Sequence, residues 1–326
     1  MKKRLFAIFV ALLLCATVCM TSCSFIVAPL LFDYAVDEIL GLDTNEKNAE
    51  DDLDDSQNGG ESKPSEDNGG DTTIHPVSQT RPYYNIGSNK KLANKIVVIF
   101  LFVDDNSDAW SYDEIVTFMT EQARPALYYL VYEAEKWGVE LSFELDLYST
   151  PTNEIELKYE GDVGNGLNGN EMSMDVLESA ATDIGYETPN EMLAAHRSKY
   201  GNAEIAYVNI FNEAGRSYTC MQVGNPAQEY AEHCVLFADA YKGDPRAQQT
   251  RSATIAHEFL HLYGAEDFYT PDKRQTLALL TYPNDIMLIS ATSLSDVSLS
   301  DMTAYLVGWN DTAPEICYNE AWRADE

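Results

Sequence analysis

The residues best suited to chemistry in this chain lie in one short run, TIAHEFLHLYGAEDFY, at positions 254 to 269. On a helix, residues four apart share a face, so two imidazoles at that spacing can reach one metal ion, and the carboxylate after the first lies beside the ion. This arrangement predicts a metal-dependent hydrolase in which the carboxylate acts as general base. The run contains, in the order HExxHxxGxxD, His257, Glu258, His261, Gly264 and Asp267.

A helix from Pro245 to Tyr263 is predicted to carry both histidines. Asp244 suits the N-cap, proline suits the first helical position, and Gly264 suits the residue just past the end. An apolar stripe on the opposite side of this helix should pack inward and leave the imidazoles facing a cleft. The stripe consists of Ile255, Phe259 and Leu262.

A catalytic zinc site uses three protein ligands and a water, so a third ligand must come from beyond the histidine face of the helix. Gly264 permits the positive φ that turns the backbone sharply, and a residue three positions later can then return to the metal. Asp267 occupies that position and is the predicted third ligand. Glu266 is the alternative, and the other reading of either acid is a solvated loop residue.

The stretch HEFLHLYGAED resembles the long zinc signature of the metzincin clan of metallopeptidases, in a variant with Asp where the third His commonly stands. Residues 282–287, YPNDIM, resemble the clan's Met-turn, whose methionine, here Met287, underlies the metal site. Residues 299–309 are similar to the segment that follows the site in secreted peptidases of the immune inhibitor A type. The resemblance implies a Zn2+ cofactor and a protein or peptide substrate. It also implies an α+β, zincin-like fold: a twisted mixed β-sheet with helices, an active-site helix and a short C-terminal subdomain.

One position departs from the clan's pattern. Some metzincins carry a tyrosine two residues after the Met-turn methionine, where it assists the transition state, but this chain has Ile289 there. Nearby tyrosines are the alternatives, and the sequence does not choose between them. They are Tyr263, Tyr269 and Tyr282.

The hydrophobic pattern predicts a mixed sheet with helices packed on it. Strands are predicted at residues 95–103, 141–148, 205–211 and 234–237. Helices are predicted at residues 113–137, 174–184 and 190–200, and Pro125 should kink or break the first of them. In zincins the strand beside the cleft binds extended peptide as an added strand, which requires an unpaired sheet edge. The strand at 205–211 or the one at 234–237 is expected to supply that edge.

The N-terminus predicts export. Residues 2–4 are basic and precede an apolar run from Leu5 to Met20, as in a secretory signal peptide. Met20, Thr21 and Ser22 before Cys23 resemble a bacterial lipobox, so residues 1–22 are predicted to be a lipoprotein signal and Cys23 the lipidated residue. A simple cleaved signal or an uncleaved anchor remains an alternative, because apolar character resumes at residues 25–32.

Residues 23–80 are predicted to be an acidic, disordered tether, since the stretch from Thr44 to Asp71 is almost entirely polar and charged. Residues 81–326 are then the right size for one metallopeptidase domain. The chain has 53 acidic against 21 basic residues, a net charge of −32. That balance argues against nucleic acid or an anionic membrane surface as a partner and leaves the N-terminal anchor as the expected link to a membrane. It says nothing of oligomeric state.

Other residues with chemical potential have simpler interpretations. Cys220 and Cys234 are close in sequence and are predicted to form a disulfide in an exported chain, which leaves Cys317 over. The Gly- and Asn-rich loop at residues 162–171 fails the EF-hand spacing for calcium, so a flexible loop is the better interpretation. Surface or core roles are expected for the histidines outside the motif, His75, His196 and His233.

These observations predict an extracellular or cell-surface zinc metallopeptidase, anchored as a bacterial lipoprotein, in which Glu258 is the catalytic base. The competing hypothesis is a non-catalytic adhesin or binding module on a zincin scaffold. Glu258 argues against that alternative, because binding alone does not need the base.

Overall fold

The computed structural model describes residues 87–104, 109–149, 151, 154–160, 175–221, 231–240, 251–270, 272–289, 293–319 and 322. The predicted signal peptide, Cys23, the tether, His75 and the loop at 162–171 lie outside the described residues. So do Asp244 and Pro245, the predicted start of the histidine helix. Within the described part of the chain, no helix is both long enough and apolar enough to cross a membrane.

A five-stranded sheet forms the centre of the fold, with strand order β2-β1-β3-β5-β4. The strands are β1 (Asn94–Val103), β2 (Leu141–Tyr148), β3 (Glu204–Gly215), β4 (Tyr218–Cys220) and β5 (His233–Ala240). β1 pairs in parallel with β2 and β3, and β3 pairs in parallel with β5, while β4 runs antiparallel to β5. The predicted mixed sheet with helices is therefore confirmed, and the four predicted strands are present. The short strand β4 was not predicted.

Successive side chains of β1 enter two different hydrophobic cores. Val98 and Phe100 belong to the first core, whereas Val97 and Ile99 belong to the second. Because neighbouring side chains of a strand point to opposite faces, this division means that both faces of β1 are covered. Burial on both sides explains why the strand reads as a continuous apolar run rather than an alternating one.

Helices cover the two faces of the sheet. The helices are α1 (Tyr112–Phe118), α2 (Arg124–Lys136), α3 (Asp175–Ile184), α4 (Pro189–Lys199), α5 (Arg251–Leu262), α6 (Asp272–Thr281) and α7 (Asp301–Leu306). Buried residues of α1, α2, α5 and α7 contribute to the first core, and those of α3 and α4 contribute to the second. The histidine helix α5 therefore packs on one face of the sheet.

The predicted interruption at Pro125 takes the form of a π-helical segment, Met119–Ala123, between α1 and α2. Proline has no N–H to donate to the carbonyl four residues earlier, which belongs to Glu121. Ser252 in the first turn of α5 donates its hydroxyl to this carbonyl oxygen at 3.4 Å. The defect in one helix thus provides an acceptor that contacts the start of the histidine helix.

The chain after α5 packs into the same core as α5 itself. Ile286, Met287 and Met302 are buried there. Trp309 donates its indole N–H to the carbonyl oxygen of Leu92 at 2.5 Å, which joins the C-terminal region to the residues that lead into β1. The C-terminal region is therefore packed against α5 through a common hydrophobic core.

Candidate metal centre

The histidine helix ends in a turn that reverses the chain. Gly264 has φ of +94°, a conformation that favours glycine. Its N–H donates to the carbonyl of His261 at 3.0 Å, and the next N–H, of Ala265, donates to the carbonyl of Leu260 at 3.2 Å. These two bonds form a Schellman motif, the expected C-terminal cap of a helix. The reversal that the sequence predicted at Gly264 is confirmed, and it returns Asp267 towards the helix.

Three predicted ligands meet at one point. The Nε2 atoms of His257 and His261 are 3.1 Å apart. Oδ1 of Asp267 lies 3.2 Å from Nε2 of His257 and 3.3 Å from Nε2 of His261. The three atoms therefore form a nearly equilateral triangle, and this group is the one cluster among the described residues that could hold a metal ion.

The cluster fits a small tetrahedral cation. Ligand atoms about 2.0–2.1 Å from a tetrahedral ion lie about 3.3 Å from each other, close to the spacing of these three atoms. Oδ1 of Asp267 is buried and has no hydrogen-bond donor among the described residues, as expected for an atom that serves a cation. Two imidazoles and one carboxylate also make up a donor set that zinc accepts.

Backbone carbonyls orient both imidazoles. Nδ1 of His257 lies 3.0 Å from the carbonyl oxygen of Ile286, and Nδ1 of His261 lies 2.7 Å from that of Ala265. When each Nδ1–H donates to its carbonyl, the neutral ring directs the lone pair of Nε2 into the cluster. The second contact is local to the turn at Gly264, whereas Ile286 approaches from a distant part of the chain.

The electrostatics of the cluster favour positive charge. Burial opposes the charged form of His261, but the carboxylate of Asp267 beside its ring and the charge of Glu258 outweigh burial and raise its pKa to about 9. Burial likewise opposes ionisation of Asp267, yet the two histidines beside it hold the pKa of this carboxyl well below its usual range. A cation placed between these groups meets an ionised carboxylate.

Glu258 is buried beside the cluster and is held by a residue that sequence reasoning missed. Its side chain is 7% exposed. Thr219 of β4 donates its hydroxyl to Oε2 of Glu258 at 3.0 Å and also lies 2.8 Å from the carbonyl oxygen of Glu258. Thr219 is distant in sequence and belongs to no motif, so no sequence signal identified it.

The predicted Met-turn lies directly against the cluster. Met287 is fully buried, and its carbonyl oxygen accepts from the N–H of Phe268, the neighbour of Asp267, at 2.9 Å. Together with the carbonyl of Ile286 on His257, this contact means that the segment supports two of the three ligands. The turn thereby links the helix end to the region after α6.

The buried carboxylate of Asp285 anchors the Met-turn and was also missed. Asp285 is 1% exposed and accepts from the N–H of Met287 at 2.7 Å. Its other oxygen accepts from the N–H of Ser300 and from the hydroxyl of Thr303, both at 2.7 Å. Burial raises the pKa of Asp285, and these donors partly offset the effect. The carboxylate therefore joins the Met-turn to the start of α7.

Glu266, the alternative third ligand, turns away from the cluster. Its carboxylate pairs with Arg274 of α6 at 2.5 Å. Both side chains are largely buried, at 20% and 13% exposure, so Glu266 does not point into solvent as the sequence suggested. The geometry places Asp267, and not Glu266, in the cluster that could hold a metal ion, while Glu266 forms an ion pair with Arg274.

The three alternative tyrosines occupy different places. Tyr263 is buried, accepts a hydrogen bond from the side chain of Asn89 at 3.3 Å, and belongs to the core. Tyr282 packs against Phe268 and Trp322. Tyr269 stacks on His257 with ring centroids 6.4 Å apart and an interplanar angle of 15°. Of the three, Tyr269 is therefore the one whose ring faces a ligand.

Two predictions from sequence are wrong. The edge that binds peptide was expected from residues 205–211 or 234–237, but these lie in β3 and β5, which have a neighbour on each side. Among the described strands, the edge strand next to α5 is β4. Sequence reasoning overlooked it because three residues are too few to show an alternating pattern.

The expected disulfide between Cys220 and Cys234 is also not formed, and both residues are buried thiols. The register pairs Cys220 with His233 and Thr219 with Cys234. Directly opposed residues share a face, whereas consecutive residues do not, so the ladder places the two cysteines on opposite faces of the sheet. Cys317 forms no disulfide either.

His196 and His233 lie outside the cluster, as predicted. His196 is buried, with Nδ1 2.8 Å from the hydroxyl of Tyr207 and Nε2 3.1 Å from that of Tyr148. Burial lowers the pKa of His196 to about 4. His233 is buried in β5 opposite Cys220.

Comparison with known proteins gives no further assignment. No model of a known protein family matches the chain, and no curated protein matches it either. Any functional assignment therefore rests on the residues and geometry described above.

Proposed function

We propose that this protein is a zinc-dependent metallopeptidase, similar to the zincins in fold and to the metzincins in its site. The observation that carries the proposal is the convergence of His257, His261 and Asp267 with Glu258 buried next to them. Three such ligands leave a tetrahedral ion one open position, which is typical of catalytic rather than structural zinc. The buried acid next to the histidine pair favours a hydrolase over a site that only stores metal.

The residues divide the work of hydrolysis between them. Zinc at this site supplies Lewis acidity, which polarises a carbonyl group and lowers the pKa of water. Glu258 takes the proton of the attacking water on its carboxylate and returns that proton to the leaving amine. His257, His261 and Asp267 hold the ion, and the carbonyls of Ile286 and Ala265 keep the two imidazoles in the metal-binding tautomer.

An extended peptide is the substrate that this arrangement favours. Of the strands that the structure describes, β4 forms one edge of the sheet, and through Thr219 it contacts Glu258 directly. An added strand hydrogen-bonds along such an edge, which brings its own backbone amides beside the site. We therefore assign peptide binding to β4 and not to β3 or β5, the strands that the sequence suggested.

We further propose that the enzyme acts outside the cell. The basic and apolar N-terminus supports export, and Cys23 after Met-Thr-Ser supports lipid anchoring at the cell surface through the acidic tether. The net charge of −32 opposes binding to nucleic acid and leaves the lipid as the link to the membrane.

The proposal is tested with the purified protein, stripped of metal with a chelator and then titrated with Zn2+. We expect one zinc per chain and cleavage of a mixed-peptide library, detected by mass spectrometry, that appears only with the metal. A protein that binds zinc but leaves every peptide intact would instead support the non-catalytic binding module. Failure to bind zinc would refute both the metal site and the peptidase.

A further inference from the structure

Glu258 belongs to helix α5, but its carboxyl group is hydrogen-bonded by a residue of strand β4. Thr219 reaches Oε2 of Glu258 from β4 at 3.0 Å, and the same hydroxyl lies 2.8 Å from the main-chain carbonyl oxygen of Glu258. Both residues are buried, at 5% and 7% exposure. One hydroxyl thus contacts the main chain and the side chain of Glu258 and restricts the rotation between them.

The donor is stiffer than the acceptor. Threonine is branched at Cβ and has few χ1 rotamers, whereas glutamate has three side-chain torsions to restrict. Thr219 is also fixed by the ladder, where it pairs with Cys234 of β5. A rigid group therefore limits the orientations of a flexible one.

We propose that Thr219 is a positioning residue that holds the carboxylate of Glu258 in the orientation needed to accept the proton of water. The inference rests on the proposed function, in which Glu258 is the general base. Because β4 is also the edge proposed to bind substrate, the hydroxyl ties the peptide-binding strand directly to the base. A shift of β4 would therefore move the carboxylate with it.

A purely structural role for Thr219 is the alternative. A buried hydroxyl is satisfied by the carbonyl oxygen of Glu258 alone, and Cys234 offers that same oxygen a second donor, with its sulfur at 3.4 Å. What the structural alternative does not require is the bond to Oε2. The test must therefore separate the contact with the carboxylate from contacts with the main chain.

Three variants make that separation. Thr219→Val keeps the shape and removes the hydroxyl, while Thr219→Ser keeps the hydroxyl. Cys234→Ala is the control for the main-chain contact, since the thiol lies 3.4 Å from the carbonyl oxygen of Glu258 and 3.5 Å from the hydroxyl of Thr219 but forms no hydrogen bond with the carboxylate. We expect Thr219→Val to lower kcat by roughly 10- to 100-fold, as a misplaced catalytic group does, with KM and zinc content near wild type. Thr219→Ser should recover kcat to within a few-fold, and Cys234→Ala should resemble wild type.

Crystal structures of the zinc-loaded wild type and Thr219→Val provide a readout independent of activity. Glu258 should adopt one side-chain orientation in the wild type and more than one in the valine variant. Three results for Thr219→Val would each overturn the inference. They are a single unchanged orientation of the Glu258 side chain, a kcat within two-fold of wild type, and a loss of kcat that is accompanied by loss of zinc. Wild-type protein that binds zinc but cleaves nothing would refute the proposed function instead, and the crystal structures would still decide the orientation of Glu258.

Discussion

Asp267 reaches the two histidines because the chain reverses at Gly264, and the three ligand atoms then lie 3.1 to 3.3 Å apart. The adjacent acid, Glu266, is held elsewhere by Arg274. Two neighbouring carboxylates thus have separate roles that single substitutions can distinguish.

Asp267→Ala should remove zinc from the site, because two imidazoles remain where a catalytic ion needs three protein ligands. The loss of affinity should exceed the roughly 10- to 100-fold that follows from removing a hydrogen-bonded neighbour of a ligand. Zinc stoichiometry after dialysis against a mild chelator measures the effect. Full occupancy in this variant would place the third ligand elsewhere.

Glu266→Ala is the matched control for this experiment. It should retain zinc, since its carboxylate faces Arg274, but it should lower the melting temperature because Arg274 loses a partially buried partner. Differential scanning calorimetry of both variants checks the assignment. Loss of zinc in Glu266→Ala with retention in Asp267→Ala would reverse the roles of the two acids.

The ligand set could be predicted from sequence because its geometry is local. A helix places His257 and His261 on one face, and one glycine turn returns Asp267, all within a short span of chain. Thr219 and Asp285 could not be predicted in this way, because tertiary packing brings them to the site from other elements. For the same reason sequence reasoning misjudged the surroundings of Glu266, whose partner Arg274 lies in a helix that was not predicted.

Among the elements, the Met-turn contributes more to the site than a lone methionine suggests. Its carbonyls contact His257 and the neighbour of Asp267, while the carboxylate of Asp285 holds the turn against α7. The sequence identified the turn through its resemblance but not its anchor. From sequence alone Asp285 would be taken for a surface residue, whereas in the fold it is buried.

Asp285→Asn should loosen the Met-turn, because the amide offers fewer acceptor sites to the three donors that the carboxylate satisfies. We expect zinc affinity to fall by roughly 10- to 100-fold and the melting temperature to fall with it. Competition with a zinc chelator measures the first effect, and Asp296→Asn, at an exposed position nearby, serves as control. Equal zinc affinity in the two variants would remove the proposed support of the site by the Met-turn.

On the other face of the sheet, the buried histidine of α4, His196, should make the stability of the fold depend on pH. The pKa of His196 is about 4 in the folded protein because of burial, against an ordinary value of 6.5. The unfolded chain therefore takes up this proton first as the pH falls. Stability from neutral His196 is complete above about pH 6.5 and is lost between 6.5 and 4, by up to roughly 3 kcal/mol.

His196→Gln should consequently flatten the fall in melting temperature between pH 7 and pH 4.5, although the variant starts from a lower value. His75→Gln, which changes a histidine of the tether, is the control and should keep the wild-type slope. Thermal unfolding across that range measures both. An unchanged slope in His196→Gln would show that this histidine does not contribute to acid sensitivity.

In the sheet, the positions of the longer strands could be predicted from sequence, but their pairing could not. The apolar strand β1 and the alternating strand β2 were predicted almost to the residue, because their patterns are local. Which strands pair, and which one forms the edge, depends on contacts distant in sequence. For this reason the edge was assigned to the wrong strands, and Cys220 and Cys234 were paired wrongly.

At the scale of the whole molecule, the proposed catalytic domain is expected to be linked to the cell surface by an acidic tether. Replacing Cys23 with Ser should abolish incorporation of labelled fatty acid and move the protein from the membrane fraction to the soluble fraction or the medium. A lipid chain supplies membrane affinity that the strongly acidic chain does not provide otherwise. Labelling that persists in the Cys23 variant, or wild-type protein that is wholly soluble, would contradict lipid anchoring.

In the proposed mechanism, Glu258 acts as general base beside a zinc ion held by His257, His261 and Asp267. The most direct test of this mechanism is the rate of peptide hydrolysis by zinc-loaded Glu258→Gln relative to the wild type. Because the amide cannot accept the proton of water, we expect full zinc occupancy and a rate lower by roughly 10²- to 10⁴-fold. Wild-type hydrolysis by the zinc-loaded variant would contradict the account.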